Sequence, residues 1–367
     1  MIHALELATA LTRLGHQVCL YALCKPGSSG FERPLPCAVQ LIPAQPAPDD
    51  IDGLIRQRIA EFVAALRPTA GQYDVYHAQD CIGANALGQL RNQGCRPIVR
   101  TVHHVEAFES IYLQQCQDRS IREPDLCLAV SHRWQQTLAR DYGIDAVRVV
   151  NGVDQRRFNP QPNGEDGMRK RYGLAGPVLL TIGGIEPRKN SIRLLQAFAQ
   201  VRRAHPTAQL VIVGGATLFD YQPYRDKFFA EVDTLGLNEA LVLPGVLSDA
   251  SLPAFYRCAD ALVFPSLKEG WGLVVLEAIA SGVPVVTSNQ PPFTEFLSPH
   301  QACLADPLDV NAIAVAIEQA LDPQVAQNVV DNSQAVLSHY SWDRSAAQHG
   351  RAYQSLCANF AAPASPR

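Results

Sequence analysis

Ten short apolar runs recur along the chain, most of them followed by a stretch with helical spacing: QVCLYAL, DVYHA, PIVRTV, LCLAVS, VRVV, VLLTIG, AQLVIVGG, LVLPG, ALVFPS and VPVVTS. Runs that stay apolar on both faces and end in glycine or a polar residue read as buried parallel strands opening into ligand-facing loops. Their spacing suits strand–helix–strand units with right-handed crossovers. The polar, Gly- and Pro-rich segment DQRRFNPQPNGEDGMRKRYGLAGP, from Asp154 to Pro177, interrupts this rhythm and reads as a loop-like domain junction. The expectation is therefore an α/β chain of two Rossmann-like, doubly wound domains facing across a cleft. An acceptor-side domain is expected over 1–155, a donor-side domain over 156–340, and a final amphipathic helix with a tail over 341–367. Ligands belong at the carboxyl ends of such strands.

The composition agrees with a globular enzyme. A length of 367 residues allows two proper cores, and 47% hydrophobic against 18% charged residues is not a disordered composition. A formal net charge of −4 argues against a general nucleic-acid binder or an anionic-membrane binder. The ten cysteines are scattered without a C-x-x-C pair or metal-ligand spacing, and several lie inside apolar runs, which fits a reduced cytoplasmic compartment. No apolar run approaches the ~18 residues of a spanning helix, so no integral membrane segment is expected. MIHALELATALTRLGHQV carries Glu6 and no basic leader, unlike a signal peptide. Leu5, Ala8, Leu11 and Leu14 followed by Gly15 make it an amphipathic helix, so the sequence opens inside a helix.

The stretch SLKEGWGLVVLEAIASGVPVV, Ser266 to Val286, holds the most telling pattern. Leu273 to Ser281 is apolar nearly all round, which marks a buried helix, yet Glu277 sits inside it and Glu269 stands at its doorstep. Two glutamates at this spacing arise by chance about once in a chain of this size, so context must decide. Carboxylates are seldom buried without a partner. Two partners are open for Glu277: an internal Arg or Lys, or the neutral hydroxyls of a ligand such as a ribose. Eight helical residues rise about 12 Å, more than the roughly 5–9.5 Å between glycosidase carboxyls, which favours a grip on both ends of a long ligand. The intervening EGWG exposes backbone N–H groups of Gly270, Trp271 and Gly272 where a phosphate is favoured. In TIGGIEPRKNSIRLL a strand ends at Gly183 and Gly184, and Arg188 and Lys189 follow. Adjacent cations at a strand mouth suit a diphosphate, the alternative being a solvated basic turn. IVGGATLFD is a second glycine-ended strand.

The first half offers RTVHHVEAF, with His103 and His104 just past a strand; a structural and a ligand-facing role are equally open. His77 and Asp80 in DVYHAQD either line a site or cap the next helix. Ser131 lacks a G-x-S-x-G elbow and reads as a helix cap. Asp50 and Asp52 form a D-x-D, but prolines before it and a helical pattern after it favour capping over a metal clamp. No metal is inferred.

Together these blocks resemble retaining glycosyltransferases of family 4, with the two-domain GT-B fold, over nearly the whole chain. PSLKEGWGLVVLEAIASGVPVV is similar to the family's E-x7-E block with its downstream G-x-P-V, and GGIEPRKN to its phosphate-binding loop. NGVD at 151–154 is similar to the family's crossing between domains, and VLPGVLSDASLPAFYRCADALVFPS to its base-binding and following segments. The resemblance implies that Glu269 binds donor-sugar hydroxyls and Glu277 the ribose. It implies that Arg188 and Lys189 neutralise the diphosphate with backbone groups of Gly270, Trp271 and Gly272, and that backbone near Val246 meets the base. Thr101 and His103 match the family's T-x-H, which implies that His103 reaches the donor sugar. Two departures stand out. Gly184 occupies a position where the family often has arginine, and the first strand and Gly-rich loop that precede the first helix in the family are missing from this sequence.

The activity so implied is transfer of a sugar from a nucleoside diphosphate to an acceptor hydroxyl, of a saccharide, a lipid-linked or a small molecule, with retained configuration. It needs neither cofactor nor metal, because fixed cations and backbone dipoles stabilise the leaving group. The expected location is cytoplasmic, peripheral to a membrane if the acceptor is a lipid. An epimerase on the same fold and a non-catalytic donor-binding copy are the alternatives. A dinucleotide oxidoreductase would need G-x-G-x-x-G, which neither GGIEPRKN nor GGATLF supplies.

Overall fold

The computed structural model describes residues 2–27, 30–162, 165–215 and 221–361. The chain forms two compact units, one of residues 1–151 with 342–367 and one of residues 152–341. Each of the ten runs contains a strand, and two further short strands appear.

In the first unit the order is α1 (Ile2–Arg13), β1 (Cys19–Cys24), β2 (Ala38–Pro43), α2 (Ile51–Leu66), β3 (Tyr76–Ala78), α3 (Cys81–Leu90), β4 (Ile98–Val102), α4 (Ile111–Arg122), β5 (Leu126–Ala129), α5 (His132–Thr137) and β6 (Val147–Arg148). All pairings are parallel: β1 with β2 in one sheet, and β3-β4-β5-β6 in a second. β2 was not among the ten runs because AVQLIP lies among prolines and is only half buried, in alternation. Alternation along β4 sends Ile98 into a core with α2, α3 and α4. Val99 goes to the other face, with Leu128, Val149 and Leu356. Asp50, Asp80 and Ser131 each cap a helix, accepting from the amides of Gly53, Gly83 and Trp134, as the D-x-D and the serine were read.

The second unit begins with α6 (Glu165–Tyr172), followed by β7 (Val178–Ile182), α7 (Ser191–Ala204), β8 (Gln209–Val213), α8 (Gln222–Thr234), β9 (Leu241–Gly245), α9 (Leu252–Cys258), β10 (Ala261–Phe264), α10 (Leu273–Ala280), β11 (Val285–Ser288), β12 (Cys303–Ala305), α11 (Val310–Leu321) and α12 (Pro323–Leu337). Its six parallel strands run β9-β8-β7-β10-β11-β12. Winding goes outward from β7 through β8 to β9, then restarts on the other side at β10. The order thus reverses between β7 and β10, which opens a crevice at their carboxyl ends.

The segment 154–177 departs from the loop-like expectation. It contains α6 and is docked on this unit: Phe158 meets Tyr256 edge-on at 5.6 Å, Tyr172 meets Phe255 at 5.0 Å, and Arg169 donates to the Cys258 carbonyl at 2.8 Å. EDGMRKRY lacks an apolar stripe, so periodicity could not reveal the helix; isolated aromatics anchor it.

The last helix, α13 (Trp342–Ala361), belongs with the first unit and packs along α1. Beside it four histidines gather. His3 lies 4.7 Å from His103 and 6.0 Å from His349, centroid to centroid, and His77 lies 5.8 Å from His349. His77 Nδ1 meets the Tyr353 hydroxyl at 2.6 Å and its Nε2 meets Thr101 Oγ1 at 2.8 Å. Burial lowers all four pKa values, that of His3 to about 3 and that of His349 to about 4, and the buried Arg100 beside His77 and His103 acts in the same direction. An unfolded histidine takes up its proton near pH ~6.5, so below that pH the unfolded chain binds more protons than the native one and stability falls. The urea midpoint of the full chain is expected to drop between pH 7.5 and pH 5. The slope is at most ~1.4 kcal/mol per pH unit per histidine, and His349→Gln should make the dependence shallower. A midpoint that stays level over this range would refute the buried neutral cluster.

Candidate active site

The loops after β7 and β10 meet at the reversal point of the second sheet. Leu267 N–H donates to the Arg188 carbonyl at 2.8 Å. Asn190 donates through its side chain to the carbonyls of Pro265 and Pro307, at 3.1 and 2.6 Å. Asn190 adopts a left-handed conformation (φ 62°), which asparagine tolerates better than most residues. It ends the short 3-10 turn Pro187–Lys189 and starts α7, thereby aiming the two cations.

Those cations converge on one carboxylate. Glu269 Oε1 accepts from Lys189 Nζ at 2.6 Å and from Arg188 Nη1 at 3.1 Å. Arg188 also reaches the buried Glu186, whose Oε1 takes Nη2 at 3.0 Å. Lys189 Nζ stands 4.4 Å from the centroid of the Phe264 ring. Burial lowers the Lys189 pKa, and the Glu269 charge opposes that shift. Two cations and two carboxylates thus balance in a largely desolvated cluster. Gly183 (φ +139°) makes room for it: a Cβ there would lie 2.9 Å from Lys189 Cε.

Glu269 and Glu277 are not joined by one helix, which corrects the rise argument made from their spacing. Gly270, Trp271 and Gly272 form a turn, with Gly272 at φ +99° as the N-cap of α10, so only the last part of the interval is helical. A Cβ on Gly272 would lie 2.6 Å from Phe293 Cε1. Glu277 is 8% exposed, and its Oε2 accepts the Tyr256 hydroxyl at 2.7 Å. Burial first, and then the Glu277 charge, push the Tyr256 pKa well above its ordinary value, so the phenol stays a donor. Trp271 is 3% exposed and stacked on Phe296 at 4.7 Å, so its side chain packs the turn.

A small cavity of about 180 Å³ opens beside this cluster, lined by Gly183, Gly184, Glu186, Gly214, Gly215 and Leu243 among others. Val246, just past β9, is 79% exposed. Ala216–Asp220 of IVGGATLFD lie outside the described residues. In the first unit His103 follows β4 and its Nε2–H donates to Gln79 Oε1, 3.2 Å away, while His104 pairs with Glu106 at 3.0 Å. Among the described residues no group of three or more His, Cys, Asp or Glu side chains is arranged to hold a metal ion.

Glu186, Asn190, Tyr256 and Phe264 escaped the sequence reading. Asparagine directly before a helix start was a visible signal for Asn190. Tyr256 and Phe264 lie in apolar runs and meet partners distant in sequence, whereas Glu186 sits two residues before its partner Arg188 in a charged turn.

Known proteins resemble the chain along most of its length. Residues 2–157 match the family described as Glycosyltransferase Family 4, and residues 168–336 match Glycosyl transferases group 1. A GDP-mannose-dependent alpha-(1-6)-phosphatidylinositol monomannoside mannosyltransferase of Mycolicibacterium smegmatis is 32% identical over 70% of this chain and 70% of its own. The chain belongs to the group 1, family 4 glycosyltransferases. This glycosyltransferase is also 30% identical to a D-inositol 3-phosphate glycosyltransferase of Acidothermus cellulolyticus, over 82% of this chain and 72% of that one. Among solved structures it resembles a sucrose-phosphate synthase of Thermosynechococcus elongatus (TM-score 0.80, 23% identity, 96% of this chain and 92% of that one). It also resembles HepE of Anabaena with UDP and glucose (TM-score 0.76, 21% identity, 93% and 100%). The fold is GT-B.

Two glycines of the second unit separate two costs. Gly236 and Gly214 both have positive φ, but a Cβ on Gly236 meets open space, whereas one on Gly214 would lie 2.5 Å from the Gly183 carbonyl oxygen. Gly236→Ala should therefore cost ~1 kcal/mol from backbone strain alone. Gly214→Ala should cost ~3 kcal/mol, because overpacking adds roughly 1–3 kcal/mol. Thermal unfolding of the two variants checks this, at ~2–4 °C per kcal/mol. Equal shifts would mean that the β7 and β8 ends do not approach as closely as described.

Proposed function

We propose that this glycosyltransferase moves a hexosyl group from a nucleoside-diphosphate sugar to an acceptor hydroxyl, with retained anomeric configuration and without a metal or other cofactor. The observation that carries the proposal is the convergence of Arg188 and Lys189 on Glu269 at the sheet's reversal point. A guanidinium and an ammonium held at a strand mouth suit a diphosphate by fork and by point charge. Without donor, Glu269 takes that role. With donor, the diphosphate replaces it as the anion on Arg188 and Lys189, and Glu269 turns to the hydroxyls of the transferred sugar.

The remaining assignments extend from there. Backbone N–H groups of Gly270, Trp271 and Gly272, at the N-terminus of α10, share the charge of the phosphates. Glu277, oriented by Tyr256, holds the ribose hydroxyls, and the base lies toward the cavity flanked by Gly183, Gly184 and Val246. As the bond between anomeric carbon and phosphate oxygen breaks, the departing diphosphate gains charge, and cations already in place stabilise it without reorganisation. Front-face attack, with a departing phosphate oxygen accepting the acceptor's proton, yields retention with no side-chain nucleophile. Arg188 supplies charge that the family often places at the Gly184 position. The donor named for the M. smegmatis relative is GDP-mannose, and the Anabaena structure holds UDP and glucose; both belong in a first screen. No described helix is long and apolar enough to cross a membrane, and the acceptor class stays a saccharide, lipid-linked or small-molecule hydroxyl.

The test is a binding screen of GDP-, UDP- and ADP-sugars, then transfer with the tightest donor. Lys189→Ala should weaken nucleoside diphosphate about tenfold or more, the scale of one charge-assisted contact (~1.5–3 kcal/mol). Glu269→Ala should cut transfer far more than it cuts nucleotide binding; equal loss of both would remove Glu269 from the sugar. Product analysis by proton NMR should show the donor's anomeric configuration. A rearranged sugar from donor alone would point to an epimerase instead.

A further inference from the structure

A second polar concavity lies in the first unit and shares no lining residue with those assigned above. It is a groove of about 660 Å³, walled by α2 and α4 and crossed by the end of α3, with Arg56, Gln89, Tyr112, Gln115 and Arg119 along it. Arg56 stacks its guanidinium 3.6 Å above the centre of the Tyr112 ring. Arg119 enters from the other wall: its Nε donates to Asn85 Oδ1 at 3.0 Å and its Nη2 reaches Cys116 Sγ at 3.2 Å. Burial raises the Tyr112 pKa to about 12, and the charges of Arg56 and Arg119 oppose that rise.

Among the described residues neither arginine has a carboxylate partner. Three acids on the same helices hydrogen-bond elsewhere. Asp52, one helical turn before Arg56, takes the Ser110 hydroxyl on both oxygens, and Glu61 takes Arg58. Asp118 pairs with Arg122. Two guanidiniums without an ion-pair partner thus line one concavity. One is pre-oriented by an aromatic face and the other by a buried amide, which lowers the entropy lost on gripping an anion.

We propose that this groove binds the phosphate monoester of a small polyhydroxylated compound. The planar forks of Arg56 and Arg119 match phosphate oxygens bidentately. The amides of Gln89 and Gln115 offer donors and acceptors for neighbouring hydroxyls. A groove of this size falls within the ~300–1,000 Å³ of small-molecule sites. A membrane surface is the weaker fit: anionic-lipid recognition uses clusters of about 4–8 Lys or Arg, whereas Arg58 and Arg122 are already paired and the binding surface is concave.

Glycerol 3-phosphate is the probe, titrated calorimetrically into the full chain, with glycerol as the uncharged control. Binding is expected for glycerol 3-phosphate and not for glycerol, with inorganic phosphate competing. Arg56→Ala, an exposed substitution whose folding is checked by its unchanged thermal midpoint, should weaken binding about tenfold or more. Arg119→Gln should do the same while keeping a hydrogen bond toward the Asn85 side chain. Lys189→Ala should leave the affinity within about twofold. Binding that survives Arg56→Ala, that disappears in Lys189→Ala, or that is absent at millimolar concentrations would overturn the proposal. So would Arg56-dependent capture by phosphatidic acid vesicles without binding of the free ester. The Lys189 variant also keeps this result distinct from the fate of the donor site.

Discussion

The second unit depends on the reversal of strand order between β7 and β10. Had the winding continued in one direction, the loop with Arg188 and Lys189 and the loop with Glu269 would leave the sheet from non-adjacent strands. The reversal makes β7 and β10 neighbours, and both loops then leave the same edge side by side. Leu267 and Asn190 tie them together through the backbone of Arg188, Pro265 and Pro307. Glycines at Gly183 and Gly214 let the strand ends approach more closely than a side chain would permit.

The ionic cluster is a consequence of that meeting. Desolvation disfavours the charge on Lys189, and Glu269 restores it. A buried set of opposite charges contributes little to stability for its own sake, since each ion gives up hydration. It does hold two cations fixed and partly dry, where any anion would meet a stronger field than in water. Glu277 needs hydrogen-bond donors for the same reason, and the Tyr256 hydroxyl is one of them.

The first unit carries its polar burden differently. α13 returns to it after the whole of the second unit, and with α1 it covers an imidazole cluster that includes His103. Burial keeps these rings neutral. The T-x-H pattern thus sits in a packed environment supported from the far end of the chain. On the opposite face, the helices α2, α3 and α4 leave two arginines without carboxylates.

Much was legible without coordinates. Unbroken apolar runs that end in glycine announced parallel strands, because burial on both faces leaves no room for polar alternation. An acidic residue inside an apolar helix announced a partner, because a bare carboxylate does not stay buried. Short-range chemistry was equally plain: Asp50, Asp80 and Ser131 cap the helices that follow them, since a cap and its amide are three residues apart. Tertiary structure alone decided the rest. Which hydroxyl meets Glu277, which cations meet Glu269, that 165–172 is a helix, and that the last helix belongs with the first unit all involve partners tens to hundreds of residues away. A local pattern records the free energy of forming a helix or strand. It does not record which distant surface will later exclude water from it, and that exclusion is what selects Tyr256 and the α13 docking.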